Sequence, residues 1–180
     1  GSSFEGMGAS REATYAAFVE PALFLALGTL AAATGRTTFA ELLDVGFRSP
    51  AQVVTSLGVL FTLFVLLQVE TARVPVDDPA THLELTMIHE VMILDHSGPD
   101  LAALQYAAAL KLTVCAGLIA GLLNPLRLAD GPLLAVAVQL ALVAAVAVAV
   151  GFVESLVARL KLAVVPQYVL AGGISAALAL

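Results

Sequence analysis

The chain has 180 residues, of which 60% are hydrophobic and 12% charged, with a formal net charge of −6. Soluble domains carry about 25% charged residues, so this composition indicates an integral membrane protein. The acidic balance excludes nucleic acid as a partner, because a phosphate backbone demands a basic surface. The single cysteine, Cys115, can form no internal disulfide and supplies no ligand set for zinc or an iron–sulfur centre.

In chain order, five stretches approach the ~20 apolar residues that a membrane-spanning helix requires. They run from Ala13 to Ala33, Ala51 to Val69, Leu101 to Leu123, Pro132 to Val153 and Ala163 to Leu180. None shows the alternation of a barrel strand, so the expected fold is all-α, a polytopic bundle of about five spans in a single domain, residues 1–180. The first span contains Glu20-Pro21, the third contains Lys111, and the fifth is short and interrupted by Pro166, Gly172 and Gly173. No basic start leads into a short apolar run, so no signal peptide is expected. Trp is absent, which thins the usual aromatic belt.

Between the second and third spans, residues 70–100 hold seven of the fourteen acidic residues and all three histidines. With five spans, the N-terminal segment, this loop and the last connection share one side. That side carries Arg11, Arg73, Arg159 and Lys161, against Arg36, Arg48 and Arg127 opposite. The excess places the loop in the cytoplasm. Pro75 and Pro79 keep its first half extended or turned. Thr81-His82-Leu83-Glu84 has the form of a helix-start capping box, with Asp78 before Pro79 as a rival cap. A short interfacial helix from about Ala80 to Leu94 is expected, ended by Ser97-Gly98-Pro99.

His82, His89 and His96 recur every seven residues. Chelation from one helix needs a spacing of three or four, and H-E-x-x-H fails because Ile93 stands at its last position. These histidines, with Glu90 and Asp95, therefore read as partner-docking groups rather than a metal site. Glu20 has two readings: a hydrated interfacial carboxylate, or a proton-carrying group facing the bundle interior. A carboxylate at mid-membrane costs ~2.5–3.5 kcal/mol on insertion scales. Lys111 lies too deep to snorkel easily and is expected to face inward, paired with a carboxylate. Glu70 and Glu154 close their spans as end charges or as functional groups. Arg73 neutralises Glu70 in the simplest reading, and Asp77 and Asp78 act as turn or cap residues. No nucleophile–base arrangement, phosphate-binding glycine loop or CxxC is present in the sequence.

The run ETARVPVDDPATHLELTMIHEVMILDHSGPDLA, Glu70 to Ala102, resembles the signature loop of the membrane subunit of energy-converting [NiFe] hydrogenases. That family includes formate hydrogenlyase and hydrogenase-4 membrane components and is homologous to the heel subunit of respiratory complex I. The stretch from Gly1 to Leu27 resembles an earlier loop and span of the same family. The complex I versions share Glu70, Arg73, Pro75, Asp77, Pro79 and Glu84. The wording T-H-L-E-L-T-M-I-H-E, and Asp95-His96-Ser97-Gly98 after it, favour the hydrogenase branch.

The resemblance implies a multi-pass subunit of a prokaryotic cytoplasmic membrane, with about three N-terminal spans of the family missing. It implies an anchor that couples soluble electron-transfer subunits to proton or sodium movement. Glu20, Glu70, Arg73, Asp77, Asp78, Glu84 and Lys111 are the implied relay and coupling positions. His82, His89, Glu90, Asp95 and His96 are the docking positions. This chain itself would bind no cofactor; iron–sulfur clusters and the nickel–iron centre would sit in partners. Those partners would be the hydrogenase large and small subunits and an iron–sulfur subunit, with antiporter-like membrane subunits alongside in the bilayer. Two alternatives stay open: the quinone-site subunit of an NADH-quinone oxidoreductase, and a purely structural anchor.

Overall fold

A computed structural model describes residues 3–43, 49–77, 87–126 and 131–179. The elements are α1 (Ser3–Thr34), α2 (Phe39–Leu42), α3 (Pro50–Glu70), α4 (His89–Ile93), α5 (Gly98–Leu123), α6 (Pro132–Leu156) and α7 (Val165–Leu178). A 3₁₀ turn, Leu162–Val164, leads into α7. Among the described residues the fold is an all-helical, polytopic membrane bundle. Four helices, α1, α3, α5 and α6, are long and apolar enough to cross a membrane.

The fifth expected span is shorter. α7 has 14 residues, about 21 Å of helix against a hydrocarbon core of ~30 Å. Gly172 and Gly173 do not interrupt it, because α7 runs through both and uses them for packing.

α1 begins at Ser3, well before the apolar run. Its polar first turns dock on α4 instead of ending at the membrane surface. A Cβ at Gly8 would lie 2.7 Å from Met92 Cγ and from Val91 Cγ1, so only glycine permits this approach. Arg11 Nη1 donates to the carbonyl of Met87 at 2.9 Å across the same contact.

The helix expected over Ala80 to Leu94 is confined to His89–Ile93 where the chain is described, because Met87 and Ile88 are not helical. Asp78, His82, Glu84 and the capping box lie outside the described residues. The cap at the observed start is Asp77, whose Oδ2 accepts the N–H of Ile88 at 2.8 Å and of His89 at 3.3 Å. Gly98 and Pro99 open α5 directly, with Ser97 as its N-cap residue. Proline suits that first turn because its missing N–H has no helical acceptor there.

α1, α3 and α7 form the tightest unit. A Cβ at Gly58 would meet Ala179 Cβ at 2.6 Å and the Ser175 carbonyl at 2.8 Å. Thr62 Oγ1 lies 2.6 Å from the carbonyl of Gly172 and 2.9 Å from that of Gly58. Thr55 Oγ1 donates to Ala179 O at 2.7 Å, and Thr29 Oγ1 lies 3.3 Å from Ala176 O. Lipid tails are as apolar as leucine, so membrane helices associate through close backbone approach and hydroxyl bonds.

α5 buries Ala116, Ile119, Ala120 and Leu122 in its C-terminal half and leaves its N-terminal half standing away from the bundle. α6 packs on α5, joined by a polar clamp. Asn124 Nδ2 donates to Gln139 Oε1 at 3.1 Å, and Gln139 Nε2 donates to Gly117 O at 3.1 Å. The start of α1, the end of α3, α4, the end of α6 and the turn before α7 all meet at one end of the bundle. This is the end that carries Arg11, Arg73 and Arg159.

Candidate functional site

α3 ends in a Schellman turn that projects the charged loop. Ala72 takes a left-handed φ of 49°, its N–H donates to Val69 O at 3.2 Å, and Arg73 N–H donates to Gln68 O at 2.9 Å. These bonds satisfy the last helical carbonyls. Gln68, fully buried, holds the loop from below: its Nε2 donates to Val74 O at 3.2 Å, and Tyr168 Oη donates to its Oε1 at 2.5 Å. The peptide between Val74 and Pro75 is cis. From the other side, Leu160 N–H donates to Pro75 O at 2.7 Å.

At the end of α3, Glu70 Oε2 lies 2.8 Å from Lys111 Nζ, and Glu12 Oε1 from α1 lies 3.2 Å from the same ammonium. One cation thus bridges two carboxylates from different helices. Beside the triad is a cavity of about 260 Å³, lined among others by Glu12, Tyr15, Glu70, His89 and Lys111. A second cavity of about 460 Å³ is lined by Arg73, His89, Glu90, Gln105 and Thr113. Thr71, Ala72, His89 and Ala108 line both. The two hollows exist because the N-terminal half of α5 stands off from α1, α3 and the loop, with Lys111 spanning the gap.

The remaining candidate residues form ion pairs or stand exposed. Asp77 is buried at 2% exposure and pairs with Arg159 Nη2 at 3.3 Å. Arg73 does not neutralise Glu70; its Nη1 faces Glu154 Oε1 at 3.4 Å. His96 Nε2 lies 3.4 Å from Glu5 Oε1. Asp95 is exposed in the turn after α4, and Glu20 is exposed on α1, away from the triad and its cavity.

Glu12 and Arg159 are partners that residue-by-residue reading did not single out as functional, and Glu154 was left open as an end charge or a functional group. Glu12 had one usable signal: it immediately precedes the first expected span, on the same side as Glu70. Arg159 entered only the charge count that sets topology.

The family model described as NADH dehydrogenase matches residues 1–180, the whole chain. The chain belongs to the NADH dehydrogenase family. Among curated relatives of this family member, hydrogenase-4 component C of Escherichia coli (strain K12) is 35% identical over 129 residues, covering 69% of this chain and 39% of that protein. Formate hydrogenlyase subunit 4 of the same organism is 28% identical over 178 residues, covering 96% of this chain and 57% of that protein. The chain is homologous to both and spans less than two thirds of the length of either. No solved structure matches it.

Proposed function

We propose that this chain is the membrane subunit of a complex I-like, hydrogenase-type assembly in a prokaryotic cytoplasmic membrane. It anchors soluble electron-transfer subunits and links their redox events to movement of protons or sodium ions. The observation that carries this reading is the Glu12–Lys111–Glu70 triad on a cavity wall, at the end of the bundle that bears the charged loop. Two carboxylates share one ammonium, so a change of charge at either alters the electrostatic field at the other. A charge change in a docked subunit therefore biases protonation inside the membrane subunit. Homology to hydrogenase-4 component C and formate hydrogenlyase subunit 4 supports the hydrogenase branch.

In this reading the iron–sulfur clusters and the nickel–iron centre belong to the large, small and iron–sulfur partner subunits, and antiporter-like subunits adjoin in the membrane. His89 and Glu90 border the cavities, while Asp95 and His96 offer docking contacts after α4. His82, Asp78 and Glu84, outside the described residues, belong to the same charged run of the sequence.

The test is Lys111→Met and Glu70→Gln in the assembled complex, in sealed membrane vesicles. Ion movement per hydrogen evolved is expected to fall toward the background leak of the vesicles. Hydrogen turnover with a soluble electron donor is expected to persist. Unchanged ion movement would remove the triad from the coupling path. If the substitutions lower assembly but leave coupling per assembled complex intact, the chain is a structural anchor. The description of the matching family, NADH dehydrogenase, favours a quinone reductase as the second reading. Inhibition of the native complex by quinone-site ligands would support that alternative.

A further inference from the structure

α4 has five residues, a length at which an isolated helix does not persist in water. Its start is fixed from outside. Ile88, at the N-cap position, makes no side-chain cap bond. The cap is supplied by Asp77, eleven residues earlier in the chain, through the 2.8 Å bond from Ile88 N–H and the 3.3 Å bond from His89 N–H. A carboxylate is favoured there by the unpaired N–H groups and the helix dipole.

Asp77 is nevertheless 2% exposed, and a buried charge needs a counter-ion. Arg159 supplies one from the connection between α6 and α7, with its own side chain 16% exposed. The next residue, Leu160, grips Pro75 O through its N–H, so the connection holds the loop on both sides of Val76. Further along, the carbonyl of Leu162 accepts from Tyr15 Oη at 3.3 Å. Tyr15 and His89 both line the smaller cavity. A distant connection therefore reaches the cavity wall through a short series of polar contacts.

We propose that Arg159 is a positioning residue which, through Asp77, sets the start of α4 and so holds His89 on the wall shared by the two cavities. This gives Asp77 a role other than charge sensing. Its Oδ2 carries the two backbone N–H groups, and its charge is balanced by the guanidinium at Oδ1. The inference goes beyond the coupling role proposed above and does not require it, because the predicted readout is the local environment of His89.

The experiment is carbethoxylation of the assembled complex in its native membrane by diethyl pyrocarbonate, with the rates at His89 and His96 read by mass spectrometry. In Arg159→Gln, opening of the start of α4 is expected to speed labelling of His89 by about threefold or more. His96, at the other end of the segment, keeps its rate. Arg159→Lys retains the charge and is expected to label as the unsubstituted protein does. The double variant Asp77→Asn with Arg159→Gln is also expected to restore protection, since the asparagine carbonyl still accepts the N–H groups and no buried charge remains. An unchanged rate at His89 in Arg159→Gln overturns the proposal. So does a parallel rise at His96, or a failure of the double variant to restore protection. If Arg159→Gln alone does not assemble, the other two variants decide: slow labelling of His89 in both supports the proposal. Rapid labelling in either, or failure of both to assemble, overturns it.

Discussion

Ala72 is the residue at which backbone geometry and cavity meet. It lines both hollows and occupies a left-handed φ of 49°, which costs an L-residue about 1–2 kcal/mol. Ala72→Gly relieves that strain but loosens the unfolded chain, so the melting temperature is expected to hold or rise slightly. Ala72→Val puts a β-branched side chain in the same conformation and is expected to lower it clearly. Thermal unfolding of the detergent-solubilised protein checks both. The triad makes a second comparison at this scale. Glu70 lies closer to Lys111 than Glu12 does, 2.8 against 3.2 Å, and is less exposed, 25% against 43%. Glu70→Gln is therefore expected to cost more than Glu12→Gln. Since Lys111 is itself 38% exposed, solvent screening keeps each loss within about 1 kcal/mol. Equal losses in a thermal melt would contradict this ranking. The expectation that Lys111 meets a carboxylate rests on a general cost, that of an unpaired charge in hydrocarbon. Which carboxylates it meets depends on how α1, α3 and α5 cross.

Among the helices, the seam between α3 and α7 separates packing from hydrogen bonding. Gly58→Ala would place a Cβ 2.6 Å from Ala179 Cβ and 2.8 Å from a backbone carbonyl. Neither neighbour is a flexible side-chain end, so α7 must move. Overpacking of this kind costs about 1–3 kcal/mol. Thr62→Val removes a hydroxyl that lies close to Gly172 O, yet interhelical hydrogen bonds in membranes average only ~0.6 kcal/mol. Gly58→Ala is therefore expected to be the more damaging substitution, as measured by denaturation in mixed micelles. The apolar runs of α3, α5 and α6 were legible because each helix satisfies its own backbone within the bilayer. The start of α1 was not. Its first turns are polar, and they are helical beside α4, where Gly8 permits contact. The start of the short α4 at His89 was not legible for a related reason: its cap, Asp77, comes from outside the local window that a capping-box pattern scans.

At the scale of the whole molecule, α1, α3 and α7 form a close-packed unit, and α5 with α6 forms a second layer against it. The outer faces of α6, including Leu133, Leu140, Val148 and Phe152, are apolar and suited to lipid. Near the loop, α6 is tied to the rest by Arg73 and Glu154, 38% and 25% exposed at 3.4 Å. Such a pair contributes about 0–1 kcal/mol and weakens with salt. A double-mutant cycle with Arg73→Gln and Glu154→Gln is expected to give a coupling below ~1 kcal/mol that shrinks at high ionic strength. A large, salt-insensitive coupling would instead make this pair a principal tie. The sequence by itself determined what is local: apolar runs long enough to become membrane helices, and a charged loop whose wording marks its family. Hydrocarbon burial and backbone hydrogen bonding act within each segment, so composition suffices for them. The tertiary structure alone decided that Lys111 bridges Glu12 and Glu70, that Arg73 turns to Glu154, and that Arg159 stands against Asp77. These groups meet only after the helices pack, because an ion pair depends on separation in space and carries no imprint in neighbouring residues.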